Sequence, residues 1–216
     1  MKRIVNTMFW CVLMVFATAN GILAMRYLLP HVPLAAPLPN FKLHRLALAL
    51  HASCGGVALL VGPFQIAEGF RIRWRSLHRT LGWVYVIAIA IAGVSAMVLA
   101  PQANFGPIAG FAFFTLGVVW LTATGTALGM AIQHRFQDHR RWMLRSYALT
   151  AAAISLRVLL PASAVMGLPP GPSYRAIAWM CWLINLGIVE IYLFVRPDTA
   201  SPLPRSSKTQ RLPATR

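Results

Sequence analysis

Apolar residues in this chain run together in blocks of about twenty, separated by short stretches rich in Arg, Pro and Gly, rather than alternating with polar ones. Wound at about 1.5 Å per residue, a block of that length crosses a hydrocarbon core of about 30 Å. Six blocks are present, at 4–29, 44–66, 81–100, 107–132, 142–166 and 174–195. A lone strand in lipid leaves its backbone unpaired, so all six are expected to be helices. The pattern predicts an all-α polytopic membrane protein: a six-helix transmembrane bundle over 1–195 and a disordered basic tail over 196–216.

Composition agrees with the bilayer. Of 216 residues, 58% are hydrophobic and 11% charged, and the mean hydropathy is +0.63, values foreign to an ordinary soluble domain. Four acidic residues, Glu68, Asp138, Glu190 and Asp198, leave no material for a carboxylate-rich calcium cage. Cys11, Cys54 and Cys181 fall singly inside apolar runs, which argues against a disulfide framework or a thiolate zinc site.

The twenty Lys and Arg lie between the apolar runs instead of gathering on one face, so they predict topology and no nucleic-acid partner. Fifteen fall at the N-terminus, in the second and fourth loops and in the tail; Arg26, Lys42, Arg45 and Arg175 fall on the other side, and Arg157 inside a span. By the positive-inside rule both termini are cytoplasmic. Lys2 and Arg3 followed by an apolar stretch ending in Ala17-Thr18-Ala19 resemble a cleavable signal. The run continues to Leu29, longer than a signal core, so the first helix is expected to stay.

Ionisable groups inside hydrocarbon are costly and therefore candidates for function. Counting from the outer ends, His51 lies roughly 10 Å deep, Arg157 roughly 14 Å, Asn185 roughly 17 Å and Glu190 roughly 24 Å. Helical side chains lean toward their N-termini, so Arg157 and Glu190 lean toward each other across antiparallel helices and are expected to pair, directly or through Asn185 or water. Ser146, Thr150 and Arg157 share one helical face, as do His44, His51, Gly55 and Gly62. Thr115, Thr122 and Thr126 make a further stripe, read as helix packing.

On the cytoplasmic side, Ser76 and Asp138 are expected to cap two helices whose first turns carry His78, Arg79, His139, Arg140 and Arg145. Two positive helix ends with these cations predict a site for a small anion, a lipid head group or a haem propionate, beside the plain topological reading.

His51, the run His78-Arg79-x-x-Gly82-x-x-Tyr85, and the run His139-Arg140-Arg141-Trp142-Met143-x-Arg145-Ser146-Tyr147 leading to Leu156-Arg157 resemble a bacterial membrane family designated domain of unknown function 2306. Trp182, Asn185 and Glu190 extend the resemblance, which spans roughly 44–195. It implies a multi-pass protein of the bacterial cytoplasmic membrane and attaches no reaction.

Three function classes follow from the residues. His78 and His139 are candidate axial ligands of haem b in a redox protein, but His51 lacks a histidine partner on the fourth helix, and both cytoplasmic histidines lean toward water. The set His51, Arg157, Asn185 and Glu190 predicts an intramembrane polar site for a small ligand, ion or cofactor. The same residues also suit a non-catalytic assembly factor. No catalytic triad, phosphate loop or zinc-protease motif is present, and the sequence is silent on oligomeric state. The intramembrane ligand site is the reading carried forward.

Overall fold

A computed structural model describes residues 2–28 and 44–196. The expected tail, and the loop that holds Lys42, lie outside the described residues. Helix α1 spans Lys2–Met25 and tightens into a 3₁₀ turn at Arg26–Leu28. Helix α2 spans Arg45–Ile66, the short α3 Glu68–Arg73, and α4 Arg75–Leu99 with a 3₁₀ turn at Ala100–Gln102. Helices α5 at Pro107–Ile132, α6 at Phe136–Thr150, α7 at Ala152–Val165 and α8 at Pro170–Val195 complete the described chain. Taking α6 and α7 as one span, six helical segments are long and apolar enough to cross a membrane.

The six blocks are all found, and the polar flanks expected to open two of the helices are helical, starting slightly earlier than the expected caps. Helix α4 begins at Arg75, six residues before the apolar block, and α6 at Phe136, also six before its block. Hydropathy detects the part of a helix that lies in lipid and misses a polar first turn that stays helical at the interface. The expected caps at Ser76 and Asp138 move accordingly: the N-cap positions are Trp74 and Arg135, neither making a side-chain cap. Asp138 instead accepts from Arg135 within the first turn, at 2.9 Å.

Packing uses small residues, as expected where lipid offers no hydrophobic drive for helices to associate. Ala58, Ala88, Ala92, Ala123 and Ala127 are buried around Tyr85 and Ile89. A Cβ on Gly62 would sit 2.2 Å from the Tyr147 ring, so only glycine lets that tyrosine cross α2. Gly21 and Gly56 bring α1 equally close to α2. Large side chains such as Phe111, Val165 and Phe194 face outward, where a bilayer would solvate them.

The bundle has two chemically distinct ends. The junctions joining α2 to α4 and α5 to α6 carry Arg71, Arg73, Arg75 and Arg135, and define the basic end. The junctions joining α4 to α5 and α7 to α8 define the opposite end.

Candidate functional site

A cavity of about 470 Å³ occupies the half of the bundle away from the basic end. Apolar side chains such as Leu59, Leu116 and Leu156 form much of its wall, and Ala103 and Asn104 place its mouth at the opposite end. His51 and Arg157 both line it, with Asn20, Tyr27, Trp120 and Thr150. Each arrives there for a local reason. His51 and Gly55, one turn apart on α2, share the face that meets α4, and Nδ1 of His51 donates to the Ala92 carbonyl at 3.0 Å. A carbonyl only accepts, so Nδ1 carries the proton and Nε2 is left for the cavity.

Arg157 continues the face begun by Ser146 and Thr150, which are themselves buried in the core. Its guanidinium donates to the Ala153 carbonyl of its own helix at 3.1 Å, and among the described residues it meets no carboxylate. The expected pair with Glu190 is therefore not formed. Glu190 accepts two bonds from Arg145, at 2.6 and 2.8 Å, and its side chain is 47% exposed. Arg145 also stacks over Trp142, its guanidinium carbon 4.8 Å from the ring centre, so this cation is withdrawn from the expected anion cluster.

Asn185 is likewise engaged elsewhere. Its amide donates to the Ala148 carbonyl at 3.2 Å and its oxygen accepts from Ser155 at 2.9 Å. Ala148 lies one turn before the break between α6 and α7, where the amides of Ile154 and Ser155 both close on the Ala151 carbonyl. A continuous helix would give the Ala148 oxygen to Ala152, so Asn185 satisfies the acceptor that the break releases.

At the basic end His78 and His139 lie within electrostatic range of each other, across α4 and α6. His139 donates from Nδ1 to the Ala127 carbonyl at 2.8 Å. Neither histidine lines the interior cavity. Arg79 is exposed and Arg140 half-buried on the same two first turns.

Beneath the cavity lies a polar knot of which sequence reasoning reached only Ser146 and Thr150. The Tyr85 hydroxyl is 3.1 Å from Ser146 Oγ and 3.0 Å from Thr150 Oγ1. Trp120 Nε1 donates to Thr150 Oγ1 at 3.0 Å, and Thr124 Oγ1 is 2.7 Å from Ser146 Oγ. The expected packing stripe on α5 thus picked the wrong threonines: Thr122 and Thr126 satisfy themselves on their own helix, and Thr124 is the buried one. Two-residue spacing from a visible stripe was the available signal. Trp120 carried none beyond being a polar-tipped aromatic inside an apolar run, and Tyr85 stood out only as the end of the run His78-Arg79-x-x-Gly82-x-x-Tyr85.

Six membrane-length helices around a largely apolar interior cavity define a polytopic α-helical membrane protein. Its sequence from residue 48 to 193 matches the model of the family described as "Predicted membrane protein (DUF2306)", and the chain belongs to that family. No curated protein and no solved structure matches it significantly.

Proposed function

We propose that the cavity binds an amphipathic anion, its carboxylate or phosphate head on Arg157 and its apolar body along Leu59, Leu116 and Leu156. The observation that carries this reading is a guanidinium lining an apolar, membrane-level cavity with a single backbone acceptor and no carboxylate partner among the described residues. An unneutralised cation there costs several kcal/mol, and a chain that retains one gains from a partner of opposite charge. Tyr27, the electrostatic neighbour of Arg157 on the α1 side, supplies a hydroxyl to the same head, and Nε2 of His51 a second polar contact. In this reading the protein resides in a bacterial cytoplasmic membrane with the basic end inward, so the cavity mouth faces outward.

The test is the thermal stability of the purified full chain in neutral detergent with dodecanoate, dodecanol or inorganic phosphate added. Dodecanoate is expected to raise Tm by linkage, dodecanol to have little effect, and Arg157→Gln to abolish the rise. A rise with phosphate alone would assign the site to a soluble anion. Equal rises with acid and alcohol, or a rise that survives Arg157→Gln, would overturn the reading.

A further inference from the structure

Below the cavity the polar groups do not stop. Thr150 and Trp120 are at once cavity wall and members of the hydroxyl knot with Tyr85, Ser146 and Thr124. Beyond that knot, toward the basic end, Tyr147 and Gln65 are 5% and 7% exposed, and the Tyr147 hydroxyl and Gln65 Nε2 are buried without a protein partner. The Tyr147 ring lies against Gly62, and the Tyr85 ring approaches the same face of that glycine. Gln65, one turn further along α2, reaches Gly82, where a Cβ would meet its Oε1 at 3.3 Å. One turn before Gly82 on α4 is His78, whose Nδ1 is also buried and unpartnered, with His139 and Arg71 as its electrostatic neighbours.

These groups are ordered along the bundle axis. Helices α4 and α6 both start at the basic end, and helical side chains tend to lean toward their helix N-terminus. In order along α2, α4 and α6, polar groups follow one another from the cavity wall at Asn104 through the Tyr85 knot to Tyr147, Gln65 and His78 near the basic end. Buried polar atoms without protein partners are the usual stations of internal water, which needs two to four polar neighbours.

We propose that this column conducts protons across the bundle, with the cation of Arg157 as its electrostatic barrier. At each hydroxyl or internal water an oxygen takes up one proton and releases its own to the next, one O–H bond breaking as another forms. The His78 imidazole takes a proton on one ring nitrogen and releases one from the other, and the Gln65 amide orients water without carrying the proton. Nothing is consumed, and no oxidant or reductant takes part. A fixed cation lining the entry repels the excess proton, as arginines do in pores that exclude protons. The inference goes beyond anion binding and does not require it, although both invoke Arg157.

The experiment uses the full chain reconstituted in liposomes containing a pH-sensitive dye, with a potassium diffusion potential driving proton entry. Arg157→Gln is expected to accelerate acidification over the wild-type protein on the order of tenfold, the effect of removing one charge at about 10 Å in a protein-like dielectric. Adding Tyr85→Phe to Arg157→Gln should return the rate to that of empty vesicles. Ser146 and Thr150 keep other partners after that change, so the fold is preserved. Tyr147→Phe in the same background removes a hydroxyl that bonds to nothing in the protein and should have the same effect. Thr122→Val, on the outer face of α5, should leave the accelerated rate intact. An Arg157→Gln rate equal to that of empty vesicles, or an acceleration that survives both Phe changes, would overturn the column. Anion-dependent stabilisation tests the cavity separately, so the failure of one reading is distinguishable from failure of the other.

Discussion

Arg145 and Arg157 show how one assignment redirects a residue-level inference. With Arg145 assigned to a cytoplasmic anion cluster, Glu190 is left to the remaining interior cation. The helix begins at Phe136, so Arg145 stands in its third turn, level with Glu190 five residues from the end of α8. Arg157 is twelve residues further on, about 18 Å along the axis, too far for Glu190. What the sequence did reveal is that Arg157 and His51 face the interior, as the cost of an ionisable group in hydrocarbon suggests; the same argument did not hold for Glu190, which is 47% exposed beside Arg145. The consequence for stability is opposite in sign to that of an ion pair. Arg157→Met should leave the thermal stability in detergent unchanged or raised, by up to about 2 kcal/mol, since it removes a desolvated charge without orphaning a partner. Glu190→Gln, by contrast, should cost under about 1 kcal/mol, because its pair with Arg145 is half in solvent. A Tm loss of several degrees for Arg157→Met would reveal a structural partner for the guanidinium.

At the scale of elements, the number and order of the membrane helices were legible and the break inside the fifth was not. Nothing in Leu149-Thr150-Ala151-Ala152 announces an interruption: there is no Pro or Gly, and Pro161 lies ten residues beyond Ala151. The cause is tertiary. Asn185 on α8 holds the Ala148 carbonyl, and the turn at Ala151 redirects α7 so that Ala152, Ala153 and Arg157 line the cavity. Asn185→Leu should therefore destabilise the protein by about 1–2 kcal/mol, the range of an interhelical hydrogen bond in a membrane bundle plus the orphaned carbonyl. It should also weaken anion-dependent stabilisation, although Asn185 does not line the cavity. Melting curves with and without dodecanoate measure both effects. Loss of stability with an unchanged dodecanoate shift would confine Asn185 to packing.

For the whole molecule the decisive quantity is the direction in which the bundle sits. The cavity mouth and the basic end are at opposite poles, so the orientation of the bundle would set the compartment from which the proposed ligand enters and the one to which the proposed column leads. In the sequence fifteen of the twenty basic residues fall at the N-terminus, in the second and fourth loops and in the tail, against four in the other loops, an imbalance from which the positive-inside rule predicts both termini in the cytoplasm. Reporter fusions after Gly69 and at the C-terminus should then report cytoplasm, and one near Pro37 the outside. The contrast is sharpened by a variant in which Arg71, Arg73, Arg75 and Arg79 are all replaced by Gln. Removing those four from the basic side leaves the fourth loop and the tail still dominant, so the fusion signals should weaken without inverting. A cytoplasmic signal at Pro37 in the unmodified chain would reverse the bundle, open the cavity to the cytoplasm, and make any anion it takes a cytoplasmic one.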